Sequence, residues 1–579
     1  MLLLQNNPYL QFDFKNIHTN TLETICFDKP LKIIETNKIE QINNCLQEIE
    51  RAVNEGHYAA GFLSYEAAAA FLPVDLKTTE FPLLWFGIFK NKSSIKNNNK
   101  TPFNIGEWSP TVNKSEYYSD FKKITNAFEN NSTNQVNYTI RLATTFTGNS
   151  YKYYLDLKNK QNASYNAYLD IGNHHILSIS PELFFDLKSK KITVKPMKGT
   201  KERGNNLAED KQFKRELMHS KKNQYENKLI VDLMKEELSP ISEDGTIVVK
   251  DLFSVEAFPT LFQMTSTIES TVKEHINLTD IFKTLFPCGS ITGAPKVETI
   301  NFIKDLEKRN RDIYCGAIGF ITPDFEATFN VPIRTVIIDT KKNEATYDVG
   351  GGITKMSNKE DEYQEVFTKA KVLDTKEVDF DLIETFGLIS GKYIVYDEHI
   401  ARLKSSATYF NFKINIPKIN NDLLKIATQF KTKKMRVRLT LSKKGTHNIT
   451  FTPLLQTNTP QIVTLARDSI EDSIFLYHKT TNRAMYDSLK VNDPKIFDTL
   501  FWNENNEITE FSIGNIVLEV NNELITPKAS SGLLPGTYRQ ALISKNVIKE
   551  KTILISDLPK AKRIWLINSV REWVPVIIK

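Results

Sequence analysis

The chain has 579 residues, of which 40% are hydrophobic and 25% charged, with a formal net charge of +6. Single cores stop growing near about 250–300 residues, so this length asks for more than one domain. The small basic excess is spread along the chain, which argues against a nucleic-acid partner. No apolar run approaches the roughly 18 residues of a membrane span, and the run at Met1–Asn6 is too short for a signal peptide. Cys26, Cys45, Cys288 and Cys315 show neither metal spacing nor a disulfide framework, and a reducing cytoplasm is the expected setting.

Residues 91–101 are polar and turn-rich and predict a surface loop. Ile192 and Val194 have strand character and lead into Lys195-Pro196-Met197-Lys198-Gly199-Thr200, which reads as a constrained turn. A lysine held there and partly desolvated has a lowered pKa and serves as a nucleophile, although most lysines beside a glycine are solvated. The apolar spacing around Glu226 in 224–232 suits a helix. Gly289–Lys296 lacks the spacing of a phosphate loop and reads as a substrate turn presenting Thr292. Residues 331–339 read as a strand and 361–372 as a helix, which puts Glu365 and Lys369 on one face. Such a pair is ordinarily a solvated ion pair. A new pattern begins at Phe380, so the domain boundary is expected at 373–379, giving domains 1–373 and 380–579.

Ser180-Pro181-Glu182, Lys198, Gly289–Lys296 and Gly350-Gly351-Gly352 occur in an order that resembles the chorismate-utilising enzymes: anthranilate synthase, isochorismate synthase and aminodeoxychorismate synthase component I. Lys198 resembles the last of these, since anthranilate synthases carry Ala there. The resemblance implies an α+β domain of two large antiparallel sheets packed as a sandwich. It implies Glu182 as the general acid and Lys198 as the nucleophile that attacks C2 of chorismate. Glu226 and Glu365 would hold Mg²⁺ against the ring carboxylate. Gly199, Thr200, Thr292, Tyr314, Arg334, Gly350, Gly351, Gly352 and Lys369 would bind substrate, with Tyr314 and Arg334 on the enolpyruvyl carboxylate. Ammonia arriving at C4 then displaces the lysine from C2 and gives 4-amino-4-deoxychorismate. Gln263 stands where many relatives carry His, which puts a proton-transfer role there in doubt.

His478-Lys479-Thr480, Asn482-Arg483, Arg402 in His399–Leu403, Glu510 in Thr509–Asn515 and Gly536-Thr537 are together similar to the fold-type IV pyridoxal-phosphate enzymes. This resemblance implies a second, two-part α+β domain. Lys479 would carry pyridoxal 5'-phosphate and later shuttle the proton. Glu510 would pair with the pyridine nitrogen. Arg402, Gly536 and Thr537 would hold the phosphate, and Thr385 would lie near the substrate.

The two halves interlock as synthesis of 4-aminobenzoate, a folate precursor: the first makes an amine from which the second, acting as a lyase, expels pyruvate. The fold-type IV motifs do not separate a lyase from an aminotransferase. An anthranilate synthase-like first domain and a non-catalytic scaffold are further alternatives, the latter opposed by the intact set of acidic and lysine residues. No Cys sits in a nucleophile elbow, so ammonia would come from solution or from a separate glutamine amidotransferase subunit. The second resemblance also implies a homodimer through the C-terminal half.

Overall fold

Phe12 packs on Phe320 with ring centroids 5.4 Å apart, and this contact joins two sheets. Phe12 lies on the strand Tyr9–Lys15 and Phe320 on Ala317–Ile321. The computed structural model describes residues 8–77, 80–95, 101–161, 163–258, 261–373, 379–454 and 459–579. The run at Met1–Asn6, residues 96–100 of the expected loop and the expected boundary at 374–378 lie outside the described residues. The chain forms two compact units, one of Met1–Glu202 with Lys214–Glu377, the other of Arg203–Phe213 with Val378–Lys579.

The first unit holds two 10-stranded sheets. One runs Gly293–Ala294, Gln135–Gly148, Glu344–Thr354, Thr335–Asp339, His174–Ser180, Tyr165–Asp170, Tyr9–Lys15, Leu22–Asp28. The other runs from Met197–Glu202 through Leu261–Thr271, Lys191–Lys195 and Leu183–Lys188 to Lys32–Thr36. Leu10, Phe12, Tyr165 and Ile176 of the first sheet meet Phe62, Trp85, Ile318 and Phe320 of the second in a shared apolar layer. Helices cover the outer faces, because strands in both sheets are buried on both sides. Lys114–Glu129, Ser150–Gln161, Lys296–Glu307 and Lys359–Ala370 bury side chains against the first sheet. Ile42–Asn54, Lys221–Leu238 and Leu278–Leu285 do so against the second. This is the two-sheet sandwich expected.

The second unit has the two-part α+β form expected. Its four-stranded sheet runs Lys392–Tyr393, Leu382–Ile389, Lys434–Leu441, His447–Pro453. Leu403 and Ala407 of helix Tyr396–Tyr409, with Ile419 and Leu423 of helix Ile416–Gln429, fill one face of it. An eight-stranded sheet is mixed: Gln461–Leu465 pairs in parallel with Asp498–Trp502 and Glu572–Ile578, while its other pairs are mostly antiparallel. Among the described residues no helix is long and apolar enough to cross a membrane.

Three local expectations are corrected. The strand expected at 331–339 begins only at Thr335. Pro332 cannot donate to a ladder, and Arg334 sits at φ 52, off the strand conformation. The helix expected at 361–372 is Lys359–Ala370, started two residues earlier by Asn358, whose side chain accepts from Glu360 and Asp361 N–H. Lys198 lies not in a turn but in the strand Met197–Glu202.

Candidate active sites

Met197 pairs with Thr265 and Thr200 with Gln263, so Lys198 and Gly199 together face Met264 alone. That is a β-bulge, which re-aims a side chain, and Gly199 supplies its φ of 92°. The bulge turns Lys198 into a cavity of about 320 Å³. Glu182, Gly199, Thr200, Glu226, Tyr314, Arg334, Gly350, Gly351, Gly352, Glu365 and Lys369 line the same cavity. Residues scattered from 182 to 369 are thus brought together.

Burial pushes the Lys198 amine below its ordinary value, with Lys369 acting in the same direction and Glu182, Glu226 and Glu365 opposing. Burial also raises the Glu182 carboxyl to about 7, against a 2.5 Å hydrogen bond from the Ser290 hydroxyl and the Lys198 charge. An acid near neutrality and an amine shifted below its ordinary range therefore share one space. The glycines make room for them. A Cβ on Gly352 would lie 2.8 Å from Lys198 Nζ, and one on Gly351 3.3 Å from Glu362 Oε2 and 3.5 Å from Lys369 Nζ.

Lys369 Nζ ion-pairs with Glu365 at 2.7 Å and donates to the Gly350 carbonyl at 2.8 Å. Arg334 donates to Gln161 Oε1 at 3.3 Å. Burial pushes its guanidinium below the usual range. Tyr347, also on the cavity, has a buried hydroxyl with no hydrogen-bond partner and a pKa pushed up to about 12 by burial. An orphaned donor beside a guanidinium suits a carboxylate.

Thr292 is not among the lining residues. Its side chain is buried and donates to the carbonyls of Cys288 and Gly289 at 3.4 and 3.3 Å, while Ser290 reaches the cavity instead. Gln263 lines the cavity and donates to the Gly199 carbonyl at 3.0 Å, bracing the bulge.

No group of three or more metal-ligating side chains is assembled among the described residues. The chemistry of the donors nevertheless suits a hard cation. Glu226, Glu362 and Glu365 all line the cavity, and burial, with the Glu365 charge behind it, raises the Glu362 carboxyl. Mg²⁺ takes one or two carboxylates and completes its shell with water and substrate oxygens.

In the second unit the Lys479 carbonyl accepts from Ile383 N–H at 3.0 Å, which anchors its segment to the edge of the four-stranded sheet. Burial lowers the Lys479 amine to about 8, helped by Arg402 and Arg483 and opposed by Glu384 and Glu510. No hydrogen bond or ion pair engages its Nζ among the described residues. Burial raises Glu510 to about 7. It accepts from the Tyr486 hydroxyl at 2.7 Å, Leu534 N–H at 2.9 Å and Asn515 Nδ2 at 3.2 Å.

Arg402 grips Glu384 through Nε at 2.9 Å and Nη2 at 2.6 Å, which leaves Nη1 for another acceptor. His399 contacts Glu384 at 2.5 Å, Ser569 at 2.8 Å and Thr537 at 3.1 Å. Thr537 opens the helix Thr537–Ser544, with Gly536 as its N-cap. A Cβ on Gly536 would lie 2.1 Å from Asn515 Oδ1, so only glycine fits. A buried free amine, a near-neutral carboxyl, a helix start at Thr537 and an arginine with a spare Nη1 fit pyridoxal phosphate. His399, Glu384 and Ser569 were not singled out from sequence as site residues. Their signal was the spacing of His399 and Arg402, three apart on one helix face.

The sequence model for the chorismate binding enzyme family matches residues 5–375, and that for amino-transferase class IV matches residues 381–577. Aminodeoxychorismate synthase component 1 of Salmonella typhimurium is 34% identical over 271 residues, 47% of this chain and 59% of that protein. The chain thus spans about three fifths of that relative's length. Anthranilate synthase component 1 of Saccharolobus solfataricus is 34% identical over 230 residues, covering 40% of this chain and 54% of that one. The solved menaquinone-specific isochorismate synthase of Escherichia coli shares the fold at TM-score 0.53 and 17% identity, over 64% of this chain and 88% of its own. The chain belongs to the chorismate binding enzyme family and carries a class IV aminotransferase fold after it.

Proposed function

We propose that the chain makes 4-aminobenzoate in two steps, one in each of the domains 1–373 and 380–579. The observation that carries the first step is the pairing of Lys198 with Glu182 in one cavity, each displaced toward neutrality by burial. Glu182 protonates the C4 hydroxyl of chorismate as it leaves as water. Lys198 forms a bond to C2 as the ring double bonds shift. Ammonia then bonds to C4, the bonds shift back and the C2–nitrogen bond breaks, giving 4-amino-4-deoxychorismate. Arg334, Tyr314 and Tyr347 orient the enolpyruvyl carboxylate. Glu226 and Glu365 would hold Mg²⁺, which supplies charge for the ring carboxylate.

In the second step, bound pyridoxal phosphate supplies an electron sink that acidifies the carbon bearing the amine. Lys479 would hold it and then move the proton at that carbon. Glu510 would keep the pyridine nitrogen protonated, and Arg402, Gly536 and Thr537 would grip the phosphate. Loss of the enolpyruvyl group as pyruvate leaves the aromatic amine. A second reading, favoured by the class IV match itself, makes this half an aminotransferase. The similarity to anthranilate synthase component 1 is answered by Lys198, the residue that the resemblance to aminodeoxychorismate synthase component I implies at this position.

Ammonia would come from a separate glutamine amidotransferase subunit, and the second unit would pair as a homodimer. The cysteines Cys26, Cys45, Cys288 and Cys315 are free, in keeping with a cytoplasmic setting. The test is product analysis with chorismate, Mg²⁺, ammonium and pyridoxal phosphate, alongside Lys479→Ala. The expected result is 4-aminobenzoate and pyruvate from the wild type and 4-amino-4-deoxychorismate from the variant. Arrest of both proteins at the amine would hand the second unit to the aminotransferase reading, and anthranilate would overturn the first step.

A further inference from the structure

Arg436 and Arg438 alternate on the strand Lys434–Leu441 with Met435, Val437 and Leu439, which are buried in the helix-covered core. Both arginines therefore leave the sheet on its other face. Arg438 is paired in register with Thr385 and Arg436 with Gly387. A Cβ on Gly387 would lie 2.5 Å from the Ser569 carbonyl and 3.2 Å from Val570 Cα, so the segment 569–571 crosses this same face. The Ser569 hydroxyl donates to the Thr385 carbonyl at 3.2 Å, which fixes that crossing. Ile383, two residues before Thr385, bonds to the backbone of Lys479. Thr385 with Arg438, and Gly387 with Arg436 and the segment of Arg571, thus follow one another along one face; the Lys479 backbone is held at the strand edge beside it, and the Arg483 charge acts on both Lys479 and Arg438.

The charges on this face are unbalanced. Among the described residues no carboxylate forms an ion pair with Arg436, Arg438 or Arg571, and Arg571 Nε is buried without a hydrogen-bond partner. After burial, Arg436 and Arg483 destabilise the Arg438 cation, and Arg436 destabilises that of Arg571. Folding brings like charges together there with no carboxylate paired to them among the described residues, although the Phe497 ring lies 5.9 Å from the Arg571 guanidinium, and the arrangement suits an anion.

We propose that Arg436, Arg438 and Arg571 form the substrate-recognition site of the second unit, selecting a cyclic amine with two carboxylates over an amino acid with one. The inference rests on the reading of this unit as the consumer of the first unit's product. A single carboxylate is satisfied by one guanidinium fork, whereas three guanidiniums in a row match two carboxylates held apart on a ring.

The full chain loaded with pyridoxal phosphate tests this with isophthalate as a non-reacting dianion and benzoate as its single-carboxylate control. Binding is read from the cofactor's visible absorbance, which reports on the second unit alone. Isophthalate should bind about tenfold or more tighter than benzoate, as expected of one added charge-assisted contact. Arg438→Gln and Arg571→Gln should each remove most of that preference while cofactor absorbance and melting temperature hold, and Arg438→Lys should keep part of it. Equal binding of the two probes by the wild type, or an undiminished preference in both Gln variants, overturns the proposal. Failure of the lyase reading looks different: purified 4-amino-4-deoxychorismate would yield no 4-aminobenzoate, whatever the titration gives.

Discussion

The Ser290 hydroxyl donates to Glu182 Oε1 at 2.5 Å inside the cavity of the first unit. This bond stabilises the carboxylate and so works against burial, which holds the carboxyl at about 7. An acid catalyst must be protonated, so conversion of chorismate should fall as pH rises through about 7. In Ser290→Ala the carboxylate loses its donor, the pKa rises further, and the alkaline limb moves to higher pH. Glu182→Gln should abolish that limb and cost about 10²–10⁴-fold in kcat. A pH profile of kcat/KM for the three proteins decides. An unmoved limb in Ser290→Ala would assign it to another group.

The same carboxyl was legible in the sequence, but the serine that tunes it was not. Glu182, Lys198 and Glu365 stand in short motifs of unusual composition, and the sandwich brings them together as those motifs imply. Ser290 and Thr292 are two apart in one turn, and only the backbone path decides which hydroxyl enters the cavity. Tyr347 alternates along the strand Glu344–Thr354 with the regularity of a core residue, and only its orphaned hydroxyl marks it. The layers of both units follow from apolar patterning. The bulge at Lys198 does not, because it depends on register with Leu261–Thr271, a strand distant in sequence. Nor does patterning announce that Arg203–Phe213 clusters with the second unit, where the Arg203 guanidinium lies 4.6 Å from the ring of Tyr409.

Glu384 is held at about 2 by the charges of Arg402 and His399, which outweigh its burial. A carboxyl depressed from its ordinary 4.5 stabilises the fold above that pH and loses the contribution as pH falls through about 2. Glu384→Gln leaves the half-buried Arg402 with its charge uncompensated and should cost about 3 kcal/mol by denaturant titration at neutral pH. The gap between wild type and variant should narrow as pH falls below about 4.5. A gap that widens in acid would contradict the assigned direction.

Glu226 and Glu365 lie in the first unit, so a divalent cation should matter to one activity alone. Chelation should stop the consumption of chorismate and leave the conversion of supplied 4-amino-4-deoxychorismate unchanged. Glu226→Gln should raise the Mg²⁺ concentration for half-maximal activity by about tenfold or more, the worth of one charged contact. Loss of both activities on chelation would count against Glu226 and Glu365 as the cation's holders.

Gly350 and Gly352 face different neighbours, so the same substitution should produce opposite phenotypes. A Cβ on Gly350 would lie 2.0 Å from the Tyr138 carbonyl, a backbone atom that cannot retreat. Gly350→Ala should therefore unfold or strongly destabilise the first unit. At Gly352 the obstruction is Lys198 Nζ at 2.8 Å, the far end of a flexible chain that swings aside at little cost. Gly352→Ala should keep its melting temperature and lose about 10²-fold in amination, because an ångström of displacement at a reacting group costs that much. Conversion of supplied 4-amino-4-deoxychorismate should persist in Gly352→Ala, since Lys479 lies in the other unit. A stable Gly350→Ala with full activity, or a Gly352→Ala that aminates normally, would mean that the strand Glu344–Thr354 does not crowd Lys198 during the reaction.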